Sequence, residues 1–547
     1  MKLLSAHAQQ LVNALRRRKS IGERLLGRAS AEVAVLEELR SFPEPAVVPH
    51  LLPFVFSAKR AVAGAAATTL EIVLRVVAPA GLLQVEEACG GEWYSLPLEP
   101  EWSERRTVDE ARLRKLGPVP WPVAGVASFH RSGYVRETAV AVLDAWSDGR
   151  ELPFLLNRLN DWVEPVAARA RLAVEKRLAA PYAAAFLDNL AILQRLSESG
   201  RRDHRMLIES VYRLLRAPEQ EPVLRLGRSS PDRSVRRTSF RLAREAPQAD
   251  LDPLLKEALR DSDTVIRIEA VTDARGRMTT TAFASALALI VADPYPPIRR
   301  KGLVAAAEVL GAEANPWLVS ALLDRNPDVR GVARDFLGQR GIVSDFAAVY
   351  RDRIDAGRPA RELATALAGL GETGAKADAA VIVPCLEHER PKVRAACLRA
   401  LTRLDLEANI ARIAAMLRDP APAVSREARK LLAPHVASVG LDVLRSLLRD
   451  APHEHSRLDA VSLASSLSKW ESLPFLLEAT SNQCEPIRAA ATKRLDAWIA
   501  RINKSFTPPT ATQLDTIRQA LDIHQSAINP TVVAELRSVL GYWDSAP

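Results

Sequence analysis

Apolar residues recur at helical spacing along most of this chain. In the segment 301–310, for example, Leu303, Val304, Ala307 and Leu310 fall on one stripe of a helix with about 3.6 residues per turn. Such a stripe has to pack against a neighbouring helix, because an isolated helix leaves it exposed to water. The pattern therefore predicts an all-α protein whose helices lie side by side.

A second pattern repeats between these apolar stripes. It consists of a small polar or acidic residue, a short turn that often contains proline, a Val or Ile, an Arg, and then a run of Ala and Leu. From Arg236 to Arg488 the arginines of its clearest copies follow one another at intervals of 31, 32, 31, 64 and 94 residues. A unit of about 31 residues holds two helices and two short connections, so we predict an α-solenoid of about eleven two-helix units.

The repeated turn, written D-x-x-P-x-V-R-x-x-A, resembles the HEAT repeat, specifically the short bacterial type that is also called phycobilisome-lyase HEAT-like. The segments 261–267, 293–299 and 324–330 carry it most clearly, and the resemblance covers roughly residues 130–500. In this pattern the proline sets the start of the second helix and the branched residue fills the core. The resemblance implies a solenoid and leaves function open, because the family includes scaffolds, adaptors, nucleic-acid binders and a few enzymes.

The recurrent arginine has a structural and a functional interpretation. We predict that it hydrogen-bonds or pairs with the acidic residue of its own or the adjacent turn, which would form a ladder between stacked units. The alternative is that these arginines line the concave face and contact phosphates or acidic side chains. Ser230 and Asn482 replace the aspartate in two turns, so the partner need not be charged. The residues assigned to the ladder are Asp261, Arg267, Asp293, Arg299, Asp324, Arg330, Arg394 and Arg488.

The repeat pattern is interrupted once and changes near both termini, where a solenoid needs capping units. Prolines at 43 and 45, and the run Thr507-Pro-Pro-Thr510, mark these changes. The predicted organisation is an N-terminal helical cap at 1–45, a first HEAT-like unit at 46–81, an irregular Trp- and Pro-rich insertion at 82–128, a repeat array at 129–505 and a C-terminal helical cap at 506–547.

The insertion at 82–128 is the least regular part of the sequence, and its proline and glycine content is expected to exclude long helices. Long irregular insertions in a regular scaffold are often binding elements. Alternatively, its aromatic side chains fold back and cover an apolar flank of the neighbouring repeats. The candidate partner-binding residues are Trp93, Tyr94, Trp102 and Trp121.

Composition agrees with a repeat array. A chain of 547 residues is too long for one compact core, and 48% hydrophobic with only 5% aromatic residues favours packing of small-residue helices. The four cysteines include no C-x-x-C pair, and the longest charge-free run, 278–292, is too short to span a membrane. We therefore expect a cytoplasmic protein without a membrane segment.

The formal net charge of +9 permits an acidic partner without requiring one. Basic residues are dense between 225 and 244, where a spacing of three or four aligns part of them on one helix face. The candidate phosphate- or acid-binding residues are Arg233, Arg237, Arg241 and Arg244.

No catalytic motif is evident. The sequence lacks a Gly-rich phosphate loop and a G-x-S-x-G elbow, and its two His-Glu pairs, 388–389 and 453–454, lie in turns. Asp161-Trp162, next to Arg169 and Arg171, loosely resembles the acid, aromatic and basic mixture of HEAT-like DNA glycosylases. We expect no metal and no cofactor. The leading interpretation is a non-catalytic scaffold or adaptor for a protein partner, and the alternative is a nucleic-acid-binding protein that uses basic helix faces.

Overall fold

A computed structural model describes residues 4–16, 29–55, 57, 59–77, 79–95, 120–355, 357–502 and 507–544. These ranges contain α-helices and short 3-10 turns, and no β-strand occurs in them. The chain is an α-solenoid, in which consecutive helices form pairs and successive pairs stack. It divides into two compact units, Met1–Phe283 and Ala284–Pro547.

Unit 1 is built from helices of about two to five turns. They are α1 (Ala6–Arg16), α2 (Ala29–Glu38), α3 (Val48–Val55), α4 (Arg60–Val76), α5 (Leu82–Ser95), α6 (Pro120–Ala127), α7 (Gly133–Asp144), α8 (Leu152–Arg158), α9 (Glu164–Glu175), α10 (Ala183–Asp188), α11 (Leu190–Glu198), α12 (Arg205–Leu215), α13 (Glu221–Arg228), α14 (Arg233–Glu245), α15 (Leu251–Ala258) and α16 (Thr264–Arg277). The boundary between the units falls within α17 (Thr280–Val291).

Unit 2 continues the same succession. Its helices are α18 (Pro296–Val309), α19 (Asn315–Ala321), α20 (Pro327–Gln339), α21 (Phe346–Arg351), α22 (Ala360–Thr373), α23 (Ala379–Ile382), α24 (Pro391–Ala415), α25 (Pro422–Leu432), α26 (Val436–Val439), α27 (Leu441–Asp450), α28 (Glu454–Ala464), α29 (Lys469–Thr480), α30 (Glu485–Ile499), α31 (Ala511–His524) and α32 (Pro530–Asp544). Helix α24 is broken at Asp405, where φ is −161° and ψ is 89°.

The repeated turn starts the second helix of each pair. At α20 the side chain of Asn326 accepts the backbone N–H groups of Asp328 and Val329 at 3.0 and 3.2 Å. Pro327 occupies the first helical position, where a missing N–H leaves no hydrogen bond unmade. The side-chain cap of Asn326 and the proline at the first helical position together explain why α20 begins at Pro327.

The core of unit 2 follows the second helices, and α20 packs on α18. Of the predicted stripe, Leu303 and Ala307 are buried, while Val304 and Leu310 are half-buried. Ala305 and Ala306 are also buried, so the helix is covered on a wider arc than one stripe. The extra burial arises because each second helix contacts its own partner and the neighbouring pair.

The insertion is more helical than predicted. The expectation of irregular structure from residue 82 is wrong for Leu82–Ser95, which forms α5, and Pro120–Ala127 forms α6. Leu82, Val85 and Cys89 lie on one face of α5 and are buried, and this burial outweighs the roughly 1 kcal/mol that each glycine costs a helix. Residues 96–119 lie outside the described part of the chain.

The predicted terminal segments contain helices at their described positions: α1 and α2 within 1–45, and α31 and α32 within 506–547. Within the described ranges, none of the helices combines the length and the apolar composition that a membrane crossing demands.

Candidate partner-binding pocket

The repeated arginine is bonded on two sides. Arg299 donates from Nη1 to the carbonyl of Asp293 in its own turn at 2.7 Å. Its Nε and Nη2 donate to the two carboxylate oxygens of Asp324, in the following turn, at 2.7 and 2.6 Å. The carboxylate lies 25 residues further along the chain. The same spacing joins three further pairs: Arg136 to Asp161, Arg236 to Asp261 and Arg394 to Asp419.

The first residue of each turn also accepts the N–H of the residue two positions later. Asp324 does so at 2.8 Å, Ser230 at 3.2 Å, His388 at 3.0 Å and Asn482 at 3.0 Å. Any side chain with a well-placed acceptor atom closes this turn, as in Asx turns. That local role explains why Ser230 and Asn482 replace aspartate.

Two predicted ladder arginines, Arg330 and Arg488, have sequence spacings to their partners that differ from 25. Arg330 donates from Nε to Glu372 at 3.1 Å, in place of the Asp355 that stands at the expected distance. Arg488 donates to the carbonyls of Asn482 and Gln483 at 2.9 and 2.8 Å, and pairs with Glu485 of its own turn. Arg267 donates to the carbonyl of Asp261 in its own turn at 2.9 Å, as Arg299 does to the carbonyl of Asp293.

The basic face of α14 is largely occupied by internal contacts. Arg237 pairs with Asp263 through two hydrogen bonds of 3.0 Å. Arg244 is buried and donates to Asp273 and Glu269 at 2.5 Å each. The Arg241 guanidinium lies 4.8 Å from the Tyr212 ring centroid, and Arg233 is exposed. The four arginines therefore do not form a continuous phosphate-binding stripe.

Of the four candidate aromatic side chains of the insertion, the structure describes that of Trp121. Trp121 is 3% exposed, packs 6.4 Å from Phe154 between ring centroids, and has the Arg150 guanidinium 5.2 Å from its ring. These contacts fit the packing alternative for Trp121. Trp102, and the side chains of Trp93 and Tyr94, lie outside the described residues.

A pocket of about 900 Å³ lies in unit 1. We call it the Trp162 pocket. One wall is α5, and the others are the turns before α7 and α9 and the C-terminal part of α11 with the residues after it. Its lining includes Glu86, Glu87, Asp161, Glu198, Arg131, Arg136, Arg158, Arg195 and Arg201. The pocket is therefore lined by charges of both signs.

The floor of the Trp162 pocket is a buried charge network. Asp161 binds Arg136 through two hydrogen bonds of 2.8 Å and Arg158 at 3.2 Å, and Arg158 also pairs with Glu86. Burial alone would raise the pKa of Asp161, but hydrogen bonding to Arg136 and to the Val163 N–H lowers it below its usual value. A carboxylate held between two guanidinium groups is not free to act as a base. This geometry gives no support to the resemblance to DNA glycosylases.

Several polar groups in this network lack hydrogen-bond partners within the described part of the chain. They are Oε2 of Glu86, Nε of Arg158 and Oδ1 of Asn160, all buried. Arg195 is half-buried and bonds to the Asn157 amide oxygen, and burial lowers the pKa of its guanidinium. An unsatisfied buried polar group costs roughly 1–3 kcal/mol, so these atoms lower the stability of the pocket floor.

Trp162 forms the apolar edge of the pocket. Its side chain is 70% exposed, and the Arg136 guanidinium lies 5.3 Å from its ring centroid. An exposed indole beside polar groups is the kind of residue that dominates protein interfaces. In the sequence Trp162 stands out only beside Asp161 and Arg169, and Arg195 and Glu86 give no signal because neither belongs to a repeated motif. Among the described residues, no group of three side chains could hold a metal ion.

No protein-family model and no curated protein sequence matches this chain. Among solved structures it is similar to the karyopherin Kap121p bound to the extreme C-terminus of the protein phosphatase Cdc14p, with 12% identity, a TM-score of 0.33, and coverage of 98% of this chain and 71% of that chain. Kap95p bound to RanGDP shows 12% identity and a TM-score of 0.34, with 98% and 82% coverage. Kap121p alone shows 14% identity, a TM-score of 0.27, and 94% and 58% coverage. These values are too low to equate residues, so the site is interpreted from its own geometry.

The fold and the arginine ladder together define the class: an α-solenoid with HEAT-like helix pairs.

Proposed function

We propose that this chain is a non-catalytic binding scaffold or adaptor that recognises a protein partner, and that the Trp162 pocket is a principal contact. The observation that carries the proposal is the combination of an exposed indole with charged side chains of both signs in the lining of one pocket. The indole supplies apolar contact area, and the charged side chains supply direction. A peptide segment with one apolar and one charged side chain satisfies both.

Charge balance favours a protein over a nucleic acid. The pocket carries Glu86, Glu87 and Glu198 among its arginines, and these carboxylates repel a phosphate backbone. A protein segment with charges of both signs pairs with both. On α14, Arg237 and Arg244 already have internal carboxylate partners.

The insertion contributes to this proposal through α5, which supplies Leu83, Glu86 and Glu87 to the pocket wall. The finer family assignment, the bacterial phycobilisome-lyase HEAT-like type, is supported by the D-x-x-P-x-V-R turns. A cytoplasmic location is supported by four cysteines without a C-x-x-C pair.

The test is a pull-down of the tagged full-length chain from its native lysate, with and without nuclease, followed by binding measurements with the purified partner. Trp162→Ala is expected to weaken that binding by roughly ten- to a hundredfold, because truncation of an interface hot spot removes about 2 kcal/mol or more. Tyr134→Ala is the matched control: Tyr134 is 51% exposed at the start of α7 and does not line the pocket.

A stoichiometric protein that survives nuclease and is lost from Trp162→Ala, but not from Tyr134→Ala, supports the proposal. Equal retention by all three proteins would place the interface elsewhere. Loss of every bound protein on nuclease treatment would favour the nucleic-acid alternative.

A further inference from the structure

The turn that begins at Asp355 carries the repeated pattern, but the arginine ladder does not join it to the preceding turn. Asp355 accepts the N–H of Gly357 at 3.0 Å, as the first residue does in the turns described above. Arg361 stands at the position of the ladder arginine in this turn. Arg330, the ladder arginine of the preceding turn, donates to Glu372 instead of Asp355. The regular coupling between turns is therefore interrupted at Asp355.

Arg361 has no carboxylate at the coupling distance. Leu386 stands 25 residues further along the chain, at the spacing where Arg299 and Arg394 each bond to an aspartate. The Arg361 side chain is exposed, whereas Arg299 is buried. Within the part of the chain that the structure describes, the Arg361 guanidinium forms no ion pair and no hydrogen bond. Arg361 is therefore available to a carboxylate of another molecule.

Arg361 lines a pocket of about 360 Å³ in unit 2, together with parts of the two preceding turns. We call it the Arg361 pocket. Its charged lining comprises Arg299, Arg325, Arg361, Asp293 and Asp324. Arg299 and Asp324 neutralise each other through hydrogen bonds of 2.7 and 2.6 Å. The lining therefore has one guanidinium group more than it has carboxylates.

The remaining charged groups of the Arg361 pocket differ in exposure. Asp293 is buried and accepts the Tyr295 N–H at 2.7 Å, so its carboxylate closes its own turn. Arg325 is exposed and donates from Nη2 to the carbonyl of Pro294 at 3.3 Å. Arg361 is exposed as well. Both exposed charges of the lining are therefore positive, and an anion that enters from solvent meets them first.

The Arg361 pocket also has an apolar side. Trp317 on α19 is half-buried and lines the pocket together with Leu303 and Val329. The hydroxyl group of Ser320 lies in the same lining. A volume of about 360 Å³ exceeds that of a single carboxylate and falls at the lower end of the range for ligand sites. The occupant therefore combines an anionic group with a small apolar body.

A carboxylate fits the charge of this pocket better than a phosphate does. It carries a single negative charge, which matches the one excess guanidinium group, whereas a phosphate monoester carries about −2 and its second charge is repelled by Asp293 and Asp324. A planar guanidinium group also binds both oxygens of a carboxylate in parallel. Arg299 and Asp324 already show this geometry within the pocket.

We propose that the Arg361 pocket binds an acidic side chain of a protein partner, and that a neighbouring apolar side chain of the partner packs on Trp317. Aspartate or glutamate supplies the carboxylate, and an aliphatic residue beside it supplies the apolar contact. The site lies in unit 2 and does not depend on the Trp162 pocket, so each site has its own test.

The experiment is saturation-transfer difference NMR of the full-length chain with three capped tripeptides, which place glutamate, glutamine or phosphoserine between two leucines. We expect the glutamate peptide to bind saturably and the other two peptides to bind at least about tenfold more weakly, because they lack the singly charged carboxylate. N-acetylglutamate, which lacks the leucines, should also bind about tenfold more weakly than the glutamate peptide.

Arg361→Gln should weaken binding of the glutamate peptide about tenfold or more, because it removes the charged partner of the carboxylate. Its melting temperature should equal that of the wild type, since Arg361 is exposed. Arg358→Gln is the matched control: Arg358 is exposed in the same turn, pairs with Glu362 at 2.8 Å and does not line the pocket. Trp162→Ala should bind the peptide as the wild type does, which separates this site from the Trp162 pocket.

Four outcomes would overturn the proposal. They are equal affinities for the glutamate and glutamine peptides, an equal loss in Arg361→Gln and Arg358→Gln, tighter binding of the phosphoserine peptide, and no saturable binding of the glutamate peptide. Binding of N-acetylglutamate as tight as that of the glutamate peptide would assign the pocket to a small carboxylate instead of a protein segment.

Discussion

At the scale of single residues, one guanidinium group joins two successive turns. Arg299 is buried, and its hydrogen bonds reach two backbone carbonyls of its own turn and the carboxylate of Asp324. A buried ion pair has a small net effect on stability compared with an apolar pair, but breaking it leaves one charge uncompensated. Removal of the Arg299 side chain should therefore lower the free energy of unfolding much more than removal of an exposed arginine nearby.

We predict that Arg299→Met lowers the free energy of unfolding by about 3–5 kcal/mol, measured by urea denaturation. Arg300→Met is the control, because Arg300 is the next residue on α18 and is exposed; it should change stability by about 0.5 kcal/mol or less. Similar losses in the two variants would contradict the structural role of the ladder.

His130 should make stability depend on pH. It is 1% exposed, and its Nδ1 accepts the Ser132 N–H at 3.0 Å. Burial, and then the charges of Arg131 and Arg136, lower its pKa from 6.5 to about 4. Because the folded protein holds the proton less tightly than the unfolded chain, this stability is complete above pH 6.5 and is lost as pH falls towards 4.

The expected loss is at most about 3 kcal/mol between these pH values. His130→Asn retains an acceptor for the turn but does not titrate, so its urea midpoint should fall less than the wild-type midpoint between about pH 7 and pH 4.5. Parallel pH profiles for the two proteins would show that His130 is not responsible.

At the scale of helices, the close approach of two neighbouring helices depends on a glycine at their contact. A Cβ atom added to Gly371 in α22 would lie 2.7 Å from the Cα atom of Ala400 in α24. Backbone cannot move aside as a flexible side chain does, so the two helices would have to separate. This contact sets the distance between two successive second helices.

We predict that Gly371→Ala lowers the melting temperature, with a loss of about 1–3 kcal/mol from overpacking. Gly331 in α20 has nothing within 4 Å of the corresponding position, so Gly331→Ala should instead stabilise the protein by about 0.5–1 kcal/mol. The test is that the two substitutions change stability in opposite directions. Stabilisation by both would contradict the close approach of Gly371 to Ala400.

The helices of the repeat array could be predicted because apolar spacing and the proline turn are both local signals. Helix α5 was missed because its glycines and the prolines that follow suggested an irregular segment, whereas burial of Leu82, Val85 and Cys89 is a tertiary effect. The Trp162 pocket could not be predicted for a related reason. Its walls come from four separate stretches, and α5, which supplies Leu83, Glu86 and Glu87, carries no residue of the repeated turn.

At the scale of the whole molecule, the net charge of +9 overstates the free positive surface. Arg237, Arg241 and Arg244, which are three of the four arginines of the predicted basic face, contact acidic or aromatic side chains. Electrostatic attraction to DNA requires unpaired cations that release counterions on binding. We therefore expect DNA binding to be weak and independent of the DNA sequence.

We predict that a random-sequence DNA duplex binds with a Kd weaker than about 10 µM at physiological salt, measured by fluorescence anisotropy. Arg237→Gln should leave this affinity unchanged within about twofold, because Asp263 already neutralises that side chain. Submicromolar affinity that falls steeply with salt and depends on Arg237 would restore the nucleic-acid alternative.

The fixed spacing between each arginine and its carboxylate bears on how such a chain can evolve. Loss or gain of a few residues within a stretch of 25 would uncouple two turns, whereas duplication or deletion of one entire period joins an arginine to an equivalent aspartate. Gln513 stands 25 residues after Arg488, so the last arginine of the series has no carboxylate at the coupling distance. Tandem copying of whole periods can therefore lengthen or shorten the array between turns that are joined at this spacing, as at Arg299 and Arg394, whereas Arg330 and Arg488 depart from it.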